Sequence, residues 1–118
     1  LGRIQAENKH LSPAQARHLT VHGINQNEDG TYSWKFDNYV RAFPPYDMPR
    51  GAVEELWSNI TCPTLLVYGH ESWASDPSKD GRAEIFQHAE VAGFSDAGHW
   101  VHHDQLDRSL ARVKTFIS

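Results

Sequence analysis

Two hydrophobic periodicities run through the chain. Leu11-Ser12-Pro13-Ala14-Gln15 is a helix start: Ser12 caps, Pro13 takes the first helical position, and Gln15 stands three after the cap. The helix should run to His22 and stop at Gly23, with Arg17, His18 and His22 toward the negative end of its dipole. Asn25 to Gly30, ending in Asp29-Gly30, is turn chemistry. In the next stretch Tyr32, Trp34 and Phe36 alternate with polar residues up to Asp37, which predicts a half-buried strand. Pro44, Pro45 and Pro49 break any regular element across Phe43 to Arg50 and predict an ordered crossing loop or a short extended piece.

The second half alternates helix and strand. Val53, Leu56, Trp57 and Ile60 recur at helical spacing, and Pro63 ends that helix. Thr64 to Tyr68 is a continuous apolar run bounded by Pro63 and Gly69, the pattern of a parallel strand covered on both faces. Asp76-Pro77 looks like a cap and a first-turn proline, opening a helix to about His88, and Glu90 to Phe94 can form the next strand. Asp104 can cap a last helix with Leu106, Leu110, Val113, Phe116 and Ile117 on one side. The order predicts an α/β sheet with right-handed crossovers, the Thr64 and Glu90 strands lying parallel.

Composition narrows the function. The 118 residues carry 11 Lys and Arg against 15 Asp and Glu, a net charge of −4, which lacks the positive field a phosphate backbone requires, so nucleic acid is excluded as partner. The apolar runs fall far short of the ~20 residues that span a bilayer, and the first ten residues have no signal-peptide core, which argues against a membrane and for a cytoplasmic chain. A single cysteine, Cys62, cannot close an intramolecular disulfide and reads as a small core side chain.

In an open α/β sheet, functional groups gather at the carboxyl ends of the strands. Two loops qualify: Gly69-His70-Glu71-Ser72-Trp73 and Asp96-Ala97-Gly98-His99-Trp100. The bland reading makes the glycines simple turn formers and His99 an ordinary loop histidine. His99, His102, His103 and Asp104 could also suggest a metal, but a loop does not fix a common face for them, and solvated polar residues are the better account.

Taken in order, these segments resemble the α/β-hydrolase family. Cys62-Pro63-Thr64-Leu65-Leu66-Val67-Tyr68-Gly69 resembles its penultimate core strand, Asp96-Ala97-Gly98-His99-Trp100 the loop that delivers its catalytic histidine, and Asp104 to Ile117 its final helix. Residues 1–50 resemble the end of the helical lid and the crossing segment after it, and 51–118 the C-terminal part of the core. The resemblance implies a partial α/β-hydrolase fold, the C-terminal part of a parallel sheet with flanking helices.

The family chemistry needs a nucleophile on a strand-to-helix elbow, an acid and a histidine, in that chain order. His99 matches the histidine. No Gly-x-Ser-x-Gly occurs, and the chain is expected to be the C-terminal part of a longer hydrolase, inactive alone, whose missing N-terminal part is its partner. Ser95, within Gly93-Phe94-Ser95-Asp96-Ala97, is the nearest substitute nucleophile, but no helix follows it directly; Ser72 is flanked by the bulky His70. The family's acid usually lies three or four residues after the strand-ending glycine, where this chain has Ser72 and Trp73. Glu71 is the first choice of acid and Asp37 the second. Trp73 and Trp100 are candidates to line an apolar substrate pocket, although aromatics in a small domain are more often core. The implied reaction is hydrolysis of an ester, epoxide, carbon–halogen or carbon–carbon bond in a small, fairly apolar substrate, with no cofactor and no metal. The competing readings are a non-catalytic ligand-binding relative, motivated by the missing acid, and an independent α/β interaction module.

Overall fold

The computed structural model describes residues 2–42 and 47–118, so residues 43–46 of the expected crossing segment lie outside the described residues. The chain divides into two compact units, 1–47 and 48–118.

The first unit contains helix α1 (Gly2–Glu7), helix α2 (Pro13–Gly23), strands β1 (Ile24–Gln26) and β2 (Tyr32–Trp34), and a 3-10 turn over Asn38–Arg41. The expected capping box is present at α2. Ser12 Oγ accepts from Gln15 N–H at 3.2 Å, and Gln15 Oε1 accepts from Ser12 N–H at 2.9 Å. Strand β1 pairs antiparallel with β2, a hairpin where turn residues alone were expected from Asn25 onward. Its turn is closed by Asp29, whose carboxylate accepts from Thr31 N–H at 3.0 Å, and by Gly30 at φ 81°. The aromatic strand is shorter and more exposed than its alternation predicts, with Tyr32 63 % exposed, while Trp34 and Phe36 stack at 5.5 Å.

The second unit runs helix α3 (Arg50–Ser58), strand β3 (Thr64–Gly69), helix α4 (Arg82–Ile85), strand β4 (Ala89–Phe94), helix α5 (Val101–Asp104) and helix α6 (Leu106–Ile117). Strands β3 and β4 pair parallel in register from Thr64 opposite Ala89 to Gly69 opposite Phe94. Both strands therefore end at the same edge, and the loops that follow them meet there. Helix α3 packs through Trp57, stacked on Phe86 at 5.7 Å, and an Arg112–Glu90 ion pair ties α6 to β4.

Four details depart from the sequence expectations. The helix expected from Asp76 to His88 shrinks to α4, because Asp76 caps a local turn, accepting from Ser78 N–H at 2.9 Å, and Gly81 sits at φ 86°. Asp104 does not cap α6; it closes α5, and its carboxylate is engaged elsewhere. Cys62 is exposed rather than core. Strand β3 is not covered on both faces: Val67 is 43 % exposed, because two strands and their helices close only one side of it. The core of this unit is Phe94, Ala97 and Val101 with Ala92 against them, directly beneath the loop after β4.

Candidate active site

The site is built where the two strand-end loops cross. After β3 the chain turns at once, Ser72 N–H donating to Gly69 O at 2.9 Å. The same loop is laced to the other: His70 N–H donates to Phe94 O and Glu71 N–H to Ala97 O, each at 2.9 Å. After β4 the chain passes through Asp96 at φ 55°, a left-handed conformation that Asp tolerates better than most residues. It then buries Ala97 completely and reaches Gly98 and His99.

Gly98 N–H donates to Asp104 Oδ2 at 2.8 Å, and Gln105 Nε2 donates to Asp96 O at 3.0 Å, so the turn connecting α5 to α6 holds both ends of the histidine loop. Arg108 lies over the Phe94 ring at 5.5 Å and closes the core from outside. This bracing fixes the backbone from which His99 projects.

The His99 ring is held from two sides. Its Nδ1 is 3.1 Å from Ser72 Oγ, and its face lies against Trp73 with ring centroids 4.3 Å apart. Ser72 Oγ also accepts from Ala74 N–H at 3.0 Å, which aims the hydroxyl. A cavity of about 240 Å³ lies beside this pair, lined by Leu65, Tyr68, Ser72, Ala74 and His99 among others. A second, more apolar hollow of about 380 Å³ runs from His99 along Val67, Val101, Leu106 and Leu110. His99 thus stands between two hollows, one next to its hydrogen-bond partner and one along α6.

The sequence candidates fall as follows. His99 is at the carboxyl edge of the sheet, beside the loop after Gly69. The side chain at its Nδ1 is Ser72, one residue beyond Glu71 and three beyond Gly69. Glu71 is exposed, its amide bonded to Ala97. Asp37 belongs to the first unit, where its carboxylate accepts from Tyr39 N–H at 2.9 Å and caps the 3-10 turn. Trp73 covers His99 and is 83 % exposed, whereas Trp100 meets His103 edge-on at 5.6 Å. Ser95 is followed by loop up to Val101, so it stands on no elbow. His102 and His103 lie on α5, and no group of three or more metal-binding side chains forms among the described residues. Burial pushes the His103 imidazole below the ordinary histidine pKa, with His102 adding to it. The contact of Ser72 with His99 is not visible in the sequence. The signal for Ser72 is position: it is the third residue after the strand-ending glycine, where the resembled family usually carries its acid.

No protein-family model matches the sequence, and no curated protein matches it. Solved structures do. A thioesterase domain from the curacin biosynthetic pathway superposes with a TM-score of 0.76 at 22 % identity, over 98 % of this chain and 41 % of that one. E-2-(acetamidomethylene)succinate hydrolase gives a TM-score of 0.77 at 15 % identity, over 98 % of this chain and 43 % of that one. A marine microorganism esterase gives 0.53 at 24 % identity, over 92 % and 41 %. These are α/β-hydrolase-fold proteins, and the chain has part of that fold, spanning about two fifths of their length.

Proposed function

We propose that this chain is the histidine-bearing, C-terminal portion of an α/β-hydrolase, with His99 as the general base. The observation that carries the reading is the seating of His99. It projects from the loop after β4 at the shared end of two parallel strands, its Nδ1 engaged by the loop after β3. A ring anchored through Nδ1 offers Nε2 to a substrate-side proton, which is the geometry a triad base uses. His99 would take the proton of a nucleophile or of water and return it to the leaving group. The nucleophile and the oxyanion donors come from the rest of the enzyme. That partner would also cover apolar surface this chain exposes, with Val67 43 % and Ile117 74 % accessible.

The substrate class is an ester, epoxide, carbon–halogen or carbon–carbon compound, small and fairly apolar to suit the hollows beside His99. Acyl hydrolysis is favoured, because two of the similar structures are a thioesterase and an esterase. Glu71, in the turn beside Ser72, is the first-choice carboxylate near the site, although the side chain at His99 Nδ1 is Ser72. Trp73, against the His99 ring, is the aromatic proposed to border the substrate, with Trp100 as the other candidate. No helix among the described residues is long and apolar enough to cross a membrane.

One observation favours a second reading, a ligand-binding relative that does not turn over: the group at His99 Nδ1 is a hydroxyl, not a carboxylate. Hydrolysis of p-nitrophenyl butyrate by the whole protein separates the two. His99→Ala should lower kcat by about three to four powers of ten with folding intact. Near-normal turnover in that variant sinks the hydrolase reading, and saturable binding without turnover in the parent favours the second one.

A further inference from the structure

We propose that Ser72 is a positioning residue that holds His99 through a neutral hydroxyl, where hydrolytic triads place a carboxylate. The inference rests on His99 acting as the base. It follows from how the hydroxyl is held. Ser72 Oγ lies 3.1 Å from His99 Nδ1 and accepts from Ala74 N–H at 3.0 Å, and its own backbone is fixed by the turn to Gly69. The oxygen has one lone pair and one proton left for the imidazole.

A carboxylate only accepts, so it locks the ring proton on Nδ1 and leaves Nε2 bare to act as base. A hydroxyl works in both directions. It accepts from Nδ1–H in the base-ready ring, and it donates to a bare Nδ1 in the other tautomer, whose proton then sits on Nε2 and blocks proton abstraction. Ser72 therefore fixes the orientation of the ring without fixing its tautomer. When His99 takes up a proton, Oγ accepts the Nδ1–H bond but supplies no countercharge to the imidazolium. The site keeps the aim of a triad and gives up part of its electrostatic support.

The test uses the whole protein, with ester turnover, its pH profile, and the nitrogen-15 shifts of the His99 ring, which report the tautomer independently of activity. The parent should populate both neutral tautomers. Ser72→Asp should move the ring to the Nδ1–H form, raise kcat by about tenfold, and shift the acidic limb of the pH profile upward, because a carboxylate stabilises the imidazolium. Ser72→Ala should lower kcat about fivefold with KM unchanged, the size of one ordinary hydrogen bond, and Ser72→Thr should restore most of it. If Ser72→Asp does not fold, the Ala and Thr pair decides alone. Unchanged kcat and tautomer balance in Ser72→Ala overturn the proposal while leaving His99 as base. Covalent labelling of Ser72 by a fluorophosphonate also overturns it, by making Ser72 a nucleophile. Activity that survives His99→Ala removes the reading beneath it.

Discussion

Gly69 and Gly98 meet backbone to backbone at the end of the sheet: a Cβ built on Gly69 would strike the Gly98 carbonyl oxygen and stand 2.6 Å from that of Ala97. The contact joins the last residue of β3 to the residue before His99. No side chain fits there, so glycine is required by proximity rather than by backbone angle.

Gly69→Ala is expected to push the histidine loop off β3. Forced overpacking of this kind costs about 1–3 kcal/mol. Urea denaturation of the whole protein should show that loss, and ester turnover should fall by more than the stability change alone explains. A variant as stable and as active as the parent would mean the loop has another resting position.

The parts legible in the sequence were those set by strong local chemistry. Ser12, Pro13 and Gln15 specify one helix start, and the apolar run after Pro63 specifies a strand, so α2 and β3 follow directly, although β3 is less covered than that run implies. Strand β1 was illegible because Ile24-Asn25-Gln26 is short and mostly polar, and it is a strand only by pairing with β2. Two carboxylates misled. Asp76 and Asp104 stand where helix caps stand, yet Asp76 closes a local turn on Ser78 two residues on, and Asp104 is taken up by Gly98 through the folding of the histidine loop. The His99–Ser72 contact spans 27 residues and depends on both loops reaching one edge. Sequence could name the two loops but not which side chain crosses between them.

Asp104 offers the second prediction. Its carboxylate accepts the Gly98 N–H at 2.8 Å in a partly buried position, and the buried core of Ala97 and Val101 lies alongside. Asp104→Ala removes the acceptor and leaves that amide to find another, a loss of about 1–3 kcal/mol. Asp104→Asn keeps a carbonyl oxygen and should recover roughly half of it. Faster hydrogen exchange at the Gly98 amide in Asp104→Ala, greater than in Asp104→Asn, is the measurement; equal protection in both variants would discount the contact.

His103 sets a pH dependence. Burial, then the neighbouring His102, lower its pKa from the ordinary value of about 6.5, with Asp104 opposing. The unfolded chain therefore takes up a proton before the folded one does. Stability is at its full value above about pH 6.5 and declines as pH falls from there through the lower folded value. Chemical denaturation at pH 7.5 and 5.5 should show this decline, and His103→Gln should make it shallower. A slope unaltered by the substitution would assign the decline to other groups.

Trp73 separates a wall of the pocket from a brace of the base. Its ring lies 4.3 Å from that of His99 at 31°, yet it is 83 % exposed, so the contact with His99 is a large share of what holds it. An aromatic pair of this kind is worth about 1 kcal/mol beyond buried area, close to a fivefold preference for the seated ring. If the stack braces the base, Trp73→Ala should lower kcat about fivefold with KM nearly unchanged, and Trp73→Phe, which keeps a ring over the imidazole, should lose little. If Trp73 instead contacts substrate, the same Ala variant should raise KM and the Phe variant should shift preference among acyl chains of different length. Steady-state kinetics of the whole enzyme on a short acyl ester and a longer one distinguish the outcomes. The stacked geometry leads us to expect the kcat effect.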